Sequence, residues 1–267
     1  MPRYFRVQPY PDEEIGSLLT RTLRRVGLGT ADFAHWYLNQ PKAPLANIGN
    51  LVPHVAELIA STPRIVLQAH TLVPYGTAGL PANESRRLTI DLTSGRIPEL
   101  SRPLGKLGRR WCATCLCREL AHFGESYWHR SHLLPGVCTC PLHGTVLLQL
   151  SGPAPTLPIH RAVTYWLGEA LPHELAGTPV NMPIAPSLLH EISHWSARAL
   201  KGRQALPAVP LSPADWREVL GPELLHYAGC RGSSPAPMAQ TTARILSLIA
   251  QRRLEKARSG TQLEIFL

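Results

Sequence analysis

Apolar residues recur at helical spacing along much of the chain. Ile15, Leu18, Leu19, Leu23 and Val26 fall on one face of a predicted helix. Asp12 stands where a cap belongs, Glu13 and Glu14 fill the first turn, and Arg21, Arg24 and Arg25 gather toward the C-terminal end, where the helix dipole favours cations. Gly27 and Gly29 stop the helix. A second helix is predicted from Thr30 to just before Pro41, burying Phe33, Trp36 and Tyr37. A third covers Leu51 to Ala60, with Leu51, Val55, Leu58 and Ile59 inward. Ser61-Thr62-Pro63 then supplies a cap and a first-turn proline for a short helix over 63–72, whose apolar face is Ile65, Val66 and Ala69. Helical patterns return near 160–170, 184–201, 213–227 and 236–258. The last buries Ile245, Leu248, Ile249 and Leu254 and leaves Arg252, Arg253, Lys256 and Arg258 outside. No repeat at a solenoid period occurs. The predicted fold class is mainly α.

The pattern divides the chain into a helical N-terminal domain over 1–101, a cysteine-bearing segment over 102–150 and a helical C-terminal domain over 151–267. A proline-rich linker, Ser151 to Pro158, opens the last. The two helices within 51–72 meet across a tight turn and can form a helix-turn-helix. In that arrangement Arg64, Gln68 and Thr71 share the outer face of the second helix, and Arg and Gln suit guanine and adenine edges. The competing reading is two packed helices with a solvated polar face.

Composition changes this picture in two ways. Apolar residues make up 44% of the 267, enough for a core, so global disorder is excluded. Charged residues are 17% and the formal charge is +9, so acids are scarce and polyanions, nucleic acid first, are favoured partners. Arg109 and Arg110 belong to a basic approach to the cysteines and, with Arg64 and Gln68, are the candidate nucleic-acid contacts. No apolar run reaches the roughly 20 residues of a membrane span. Met-Pro-Arg-Tyr-Phe-Arg leads into no apolar h-region, which argues against a secretory signal. A reducing, cytoplasmic setting is expected.

The cysteines carry the candidate chemistry. Five of six crowd into Cys112, Cys115, Cys117, Cys138 and Cys140, which suits metal binding better than a disulfide framework. Cys112-x2-Cys115 and Cys140-x2-His143 have the internal spacing of two knuckles. Together they offer three thiolates and one imidazole, the ligand set of a closed structural zinc site. Arg109 and Arg110 nearby favour the thiolates. Cys117 and Cys138 stand two residues from Cys115 and Cys140. On an extended segment they face the same side and can replace a neighbour, or join His122, His129 or His132 in a second site. The preferred reading makes them buried thiols. Tyr127, Trp128 and Leu133, between the knuckles, are expected to dock this segment on the helices. Cys230, beside His226, reads as a core cysteine.

An enzyme is the weaker reading. His190-Glu191 lacks the spacing of a zinc deaminase, and Cys112 follows Trp111 rather than proline. No His-Glu-x-x-His, Gly-x-Ser-x-Gly or Walker A loop occurs. Cys140 with His143 is explained more simply by metal ligation than as nucleophile and base.

The segment Arg110-Trp-Cys-x-x-Cys-Leu116, then Tyr127-Trp-x-Arg130, then Leu134-Pro-Gly-Val-x-x-Cys-Pro-x-His-Gly144 resembles the TniQ/TnsD proteins of bacterial transposons. Pro11-Asp-Glu-Glu-Ile-Gly-Ser-Leu-Leu-Thr-Arg21 is similar to the family's opening helix, and His70-Thr-Leu-Val-Pro-Tyr75 to its His-Thr-Leu-x-Pro-Tyr segment. The likeness spans roughly 5–148. It implies a non-catalytic target-selection protein whose usual partner is an AAA+ ATPase regulator that recruits the transposase. TnsD-like members read an attachment site on DNA. Shorter members in CRISPR-associated transposons dock, often as dimers, on a guide-RNA effector complex. The family's ligand pattern falls on Cys112, Cys115, Cys140 and His143, and the extra Cys117 and Cys138 depart from it. The family's helix-turn-helix content lends support to the 51–72 pair by analogy. An adaptor is the expected role. The alternative is a self-sufficient, sequence-specific, zinc-containing DNA-binding protein.

Overall fold

The computed structural model describes residues 7–25, 27, 48–93, 110–150, 177–180, 184–202, 206 and 237–259. The helices predicted over 30–40, 160–170 and 213–227, the proline-rich linker, Arg109 and Cys230 lie outside them. The described chain is mainly helical, as predicted.

Helix α1 spans Ile15–Arg25 and is enclosed on nearly every side from Ile15 to Leu23. Its cap is not Asp12. The Glu14 carboxylate accepts the amide of Ser17 at 3.2 Å. Asp12 takes a left-handed backbone conformation and accepts from both the amide and the hydroxyl of Ser131. Arg21 also departs from expectation. It is buried rather than set at a solvated helix end, and Nε and Nη2 donate to the Glu13 carboxylate at 3.0 and 2.6 Å. Spacing alone put Arg21 with Arg24 and Arg25, but only the latter two are exposed.

Helix α2 (Ile48–Leu58) is followed by a tight turn through Ala60 and by α3 (Pro63–His70). The start of α3 follows the sequence: Thr62 caps it by accepting from the Ile65 amide, and Pro63 opens it. The helix stops two residues short of prediction, because Thr71 turns extended and its hydroxyl accepts from the Val73 amide. Its buried face is Val66, Leu67 and His70, so Ile65 points to solvent. Helices α4 (Val73–Ala78) and α5 (Ala82–Thr93) complete the N-terminal set.

The cysteine segment begins with β1 (Arg110–Trp111) and α6 (Ala113–Phe123), then a 3-10 turn at Arg130–Leu133. It closes on β2 (Leu148–Leu150), which pairs antiparallel with β1 and with β3 (Gly177–Pro179). Trp128 is buried, and its amide donates to the Ser17 hydroxyl on α1. Arg130 donates to the carbonyls of Gln68 and Thr71 at the end of α3. The aromatic stretch between the knuckles thus docks the segment on α1 and α3.

Helix α7 (Pro186–Leu200) and helix α8 (Pro237–Arg258) pack on each other and on α4. The Tyr75 hydroxyl on α4 shares a 2.8 Å hydrogen bond with Thr242 on α8. The Gly79 amide, which closes α4, donates to the Thr241 hydroxyl at 3.0 Å. On α8 the buried positions are Ile245, Leu246, Ile249 and Ala250, while Leu254 is exposed, because the last two turns project beyond the packed part. One buried apolar cluster runs through the helices of both ends and the cysteine segment, including Leu18, Val55, Tyr75, Cys115, Leu147, Ile192 and Ile249.

Candidate metal centre

Strand β1 delivers Cys112 to the N-terminus of α6. Cys112 holds the N-cap position in an extended conformation but makes no capping bond, so its sulfur is free to turn inward. Cys115 lies in the first helical turn. Both sulfurs therefore sit at the positive end of α6, which favours the thiolate forms. The second knuckle is a hairpin turn braced by the Thr139–Val146 bridge. The Cys140 amide donates to the Thr145 carbonyl, and the Gly144 amide donates back to the Cys140 carbonyl. Gly144 has a φ of +68°, a conformation that costs a side chain dearly, so glycine belongs here.

These two turns bring Cys112, Cys115, Cys140 and His143 together, with their ligand atoms all within 4.8 Å of one another. The Cys115 and Cys140 sulfurs are 3.7 Å apart. His143 Nδ1 lies 3.6, 3.4 and 3.5 Å from the sulfurs of Cys112, Cys115 and Cys140. A tetrahedral ion with metal–sulfur bonds of about 2.3 Å and metal–nitrogen bonds of about 2.05 Å sets sulfurs about 3.8 Å apart and sulfur from nitrogen about 3.6 Å. The side chains fit that shape closely and could hold a metal ion. Crowding by Cys112 and Cys140, with burial, pushes the Cys115 thiol far up when protons rather than a cation fill the space. A cation relieves that conflict.

A second layer surrounds the sulfurs; His129 and His132 in it are histidines considered for a second site, whereas nothing in the spacing marks Thr145, Glu119 or Asp12. The Thr145 hydroxyl lies 3.1 Å from Cys112 Sγ. His132 is buried, and its Nε2 is 3.4 Å from Cys140 Sγ. Burial pushes the His132 imidazole down to about 3, so it is neutral and can donate one N–H to a thiolate. Beyond it, His129 lies between Asp12 and Glu119. Burial opposes its charged form, but the two carboxylates prevail and push it up to about 9. Glu119 also accepts the Ser126 hydroxyl at 2.6 Å. Cys115, Glu119 and His129 form a further close group, but the acid and the imidazole already satisfy each other and Cys115 belongs to the first set.

Cys117 is not a buried thiol. It lies on a helix rather than an extended segment, where residues two apart point to different sides, and it is exposed. Cys138 is buried and lies outside the ligand group. His122 is exposed.

The residues considered for nucleic acid do not share one surface. Arg64 and Gln68 are exposed on α3, but Thr71 is buried. Arg110 is also buried. Its guanidinium donates to the Val137 carbonyl and, at 2.8 Å, to the Leu134 carbonyl, so it holds the Leu134–Val137 turn and is corrected from a nucleic-acid contact to an internal brace. Among the described residues, no helix is long and apolar enough to cross a membrane.

No curated protein matches the chain. The family model described as TniQ matches residues 4–147. That range contains α1 to α6, all four residues of the candidate metal group and the Arg110 and Arg130 braces. The chain therefore belongs to the TniQ family of transposition-associated target-selection proteins.

Proposed function

We propose that the chain is a non-catalytic, zinc-braced adaptor in DNA transposition. It joins a target-bound complex, guide-RNA effector or attachment site, to an AAA+ ATPase regulator, which engages the transposase. It works in the cytoplasm, and self-association into a dimer is part of this reading. The observation that carries it is the TniQ match over more than half of the chain. The centre supports it chemically. Three cysteines and one histidine supply all four positions of a tetrahedral zinc ion, which leaves the metal a structural task. Zinc bound there contributes folding free energy and holds the 110–150 segment against helices α1 and α3. Helices α7 and α8 then complete the same core.

The test is association of the zinc-loaded protein with its cognate ATPase regulator on DNA, read by co-sedimentation. A stable complex, lost on chelation, is expected. Failure to associate at any protein concentration used for assembly rejects the adaptor.

One observation favours a second reading, direct sequence recognition. Helix α3 follows a tight turn and exposes Arg64, Ile65 and Gln68 together. Selection from sheared host DNA separates the two. Enrichment of one site, weakened by about 1–3 kcal/mol in Arg64→Ala or Gln68→Ala, establishes the reader. Uniform, salt-sensitive retention leaves specificity with the partner.

A further inference from the structure

The family match ends at residue 147, and α7 and α8 lie beyond it. Their shared outer surface is strongly basic. Across 184–202 and 237–259 there are seven Lys or Arg and two Glu. One of those acids, Glu191, is engaged by Arg253 at 3.1 Å. Along α7, His190, His194 and Arg198 are exposed at four-residue intervals, about 6 Å apart on one face. Across the seam, α8 exposes Arg252 and Lys256 with the same spacing.

Trp195 sits between the two rows, partly buried. The Arg252 guanidinium lies 4.4 Å from its ring centroid and that of Arg198 5.1 Å. These contacts hold two mobile cations in place, so less side-chain freedom is lost when an anion arrives. They also occupy the aromatic surface that an unpaired base would need. Single-strand sites depend on open aromatic platforms. This surface offers fixed cations, and that suits a duplex, whose bases are already stacked. Burial and the neighbouring Arg198 and His190 push His194 down, so His194 contributes a hydrogen bond rather than charge near neutrality.

The strip also continues toward the metal centre. A Cβ placed on Gly144 would lie 3.7 Å from His190 Nδ1, so the Cys140–His143 hairpin abuts α7. Exposed Arg118 lies 3.2 Å from Nε2 of His143 in the same hairpin.

We propose that the α7–α8 face, with Arg198 and Arg252 fixed over Trp195 and Lys256 beside them, binds the phosphate backbone of duplex DNA without reading its sequence. The choice of DNA over RNA rests on the transposition reading. The site itself rests on the charge and the Trp195 contacts.

The experiment uses the zinc-loaded full chain and a labelled 30-bp duplex of random sequence, titrated over a salt series. The variant Arg198→Gln/Arg252→Gln/Lys256→Gln is compared with Arg24→Gln/Arg86→Gln/Arg87→Gln, which removes equal charge from exposed positions elsewhere. Circular dichroism checks that both are folded. The slope of log affinity against log salt is expected to fall by about 2–3 in the first variant, at about 0.9 per lost phosphate contact, and equally for unrelated sequences. The second is expected to change it far less. Equal losses in both, or an unchanged slope in the first, overturn the site. Tighter binding of single-stranded DNA or duplex RNA of the same length overturns duplex DNA as the occupant. ATPase regulator and transposase are absent, so failure of the adaptor reading leaves this measurement intact.

Discussion

Glu13→Gln removes one charge from the pair it forms with Arg21 while keeping the shape of the side chain. Both partners are buried, at 0% and 1% exposure. The guanidinium then keeps its positive charge without a full counter-charge, since Glu125 is the next carboxylate at 3.8 Å. Breaking one side of a buried pair costs about 3–5 kcal/mol. Two contacts survive in the variant: Nη2 still donates to the Gln8 carbonyl at 2.9 Å, and the guanidinium still stacks 3.8 Å from the Tyr10 ring centroid. They place the cost at the lower end, about 3 kcal/mol. With a urea m-value of about 3 kcal/mol/M, the unfolding midpoint falls by about 1 M. Adding Arg21→Met to Glu13→Gln removes the stranded charge and is expected to recover at least about 1 kcal/mol, although Arg21→Met alone destabilises by stranding Glu13. The assay is zinc-saturated urea denaturation followed by tryptophan fluorescence. A Glu13→Gln midpoint within about 0.3 M of the parent, or a double variant weaker than the single, refutes the reasoning.

Other outcomes follow from the same structure. Cys112→Ser and Cys140→Ser are expected to lose the metal, by mass spectrometry of the native protein, and to lower solubility, whereas exposed Cys117→Ser keeps both. His129, at about 9 against an ordinary 6.5, gives stability that is complete below about pH 6.5 and lost as pH rises toward 9. The loss amounts to about 3 kcal/mol in denaturation midpoints, and His129→Gln should flatten that profile. Gly79→Ala would bring its Cβ to 2.8 Å from the Thr241 amide nitrogen and 2.9 Å from its Cα, so α4 and α8 must separate, at about 1–3 kcal/mol by thermal melting. Thr241→Ala in the same chain does not relieve it, because the clash is with backbone.

Local chemistry made much of this legible. Thr62 and Pro63 announce the start of α3 because a cap and a first-turn proline act within one turn. The two knuckles announce that Cys112, Cys115, Cys140 and His143 come together, because their spacing is fixed by how short turns present side chains. What distant segments supply was not legible. Asp12 has cap chemistry, but a loop more than a hundred residues away takes its carboxylate. Arg21 and Arg110 look like surface cations by composition; Arg21 is instead buried against Glu13 eight residues back, and Arg110 is taken by carbonyls more than twenty residues away that no local window contains. Cys117 departs from expectation because the segment after Cys115 is helical rather than extended, which turns its thiol outward. His132 and Thr145 touch the sulfurs only after both knuckles close.

The close approach of Gly79 to Thr241 has a consequence for how this protein can change over generations. Helix α4 carries part of the His70–Tyr75 motif, yet its far side is finished by α8, which the family model does not reach. A segment in that position is free to alter its outer face, as long as something helical with a small polar residue still fills the seat against Gly79. Without that helix the ring of Tyr75, at 0% exposure here, would lie open to water. The berth is therefore compulsory while its tenant is exchangeable. New attachments could be recruited to an old scaffold by swapping the tenant's outward side alone, without disturbing the half that carries the cysteine cluster.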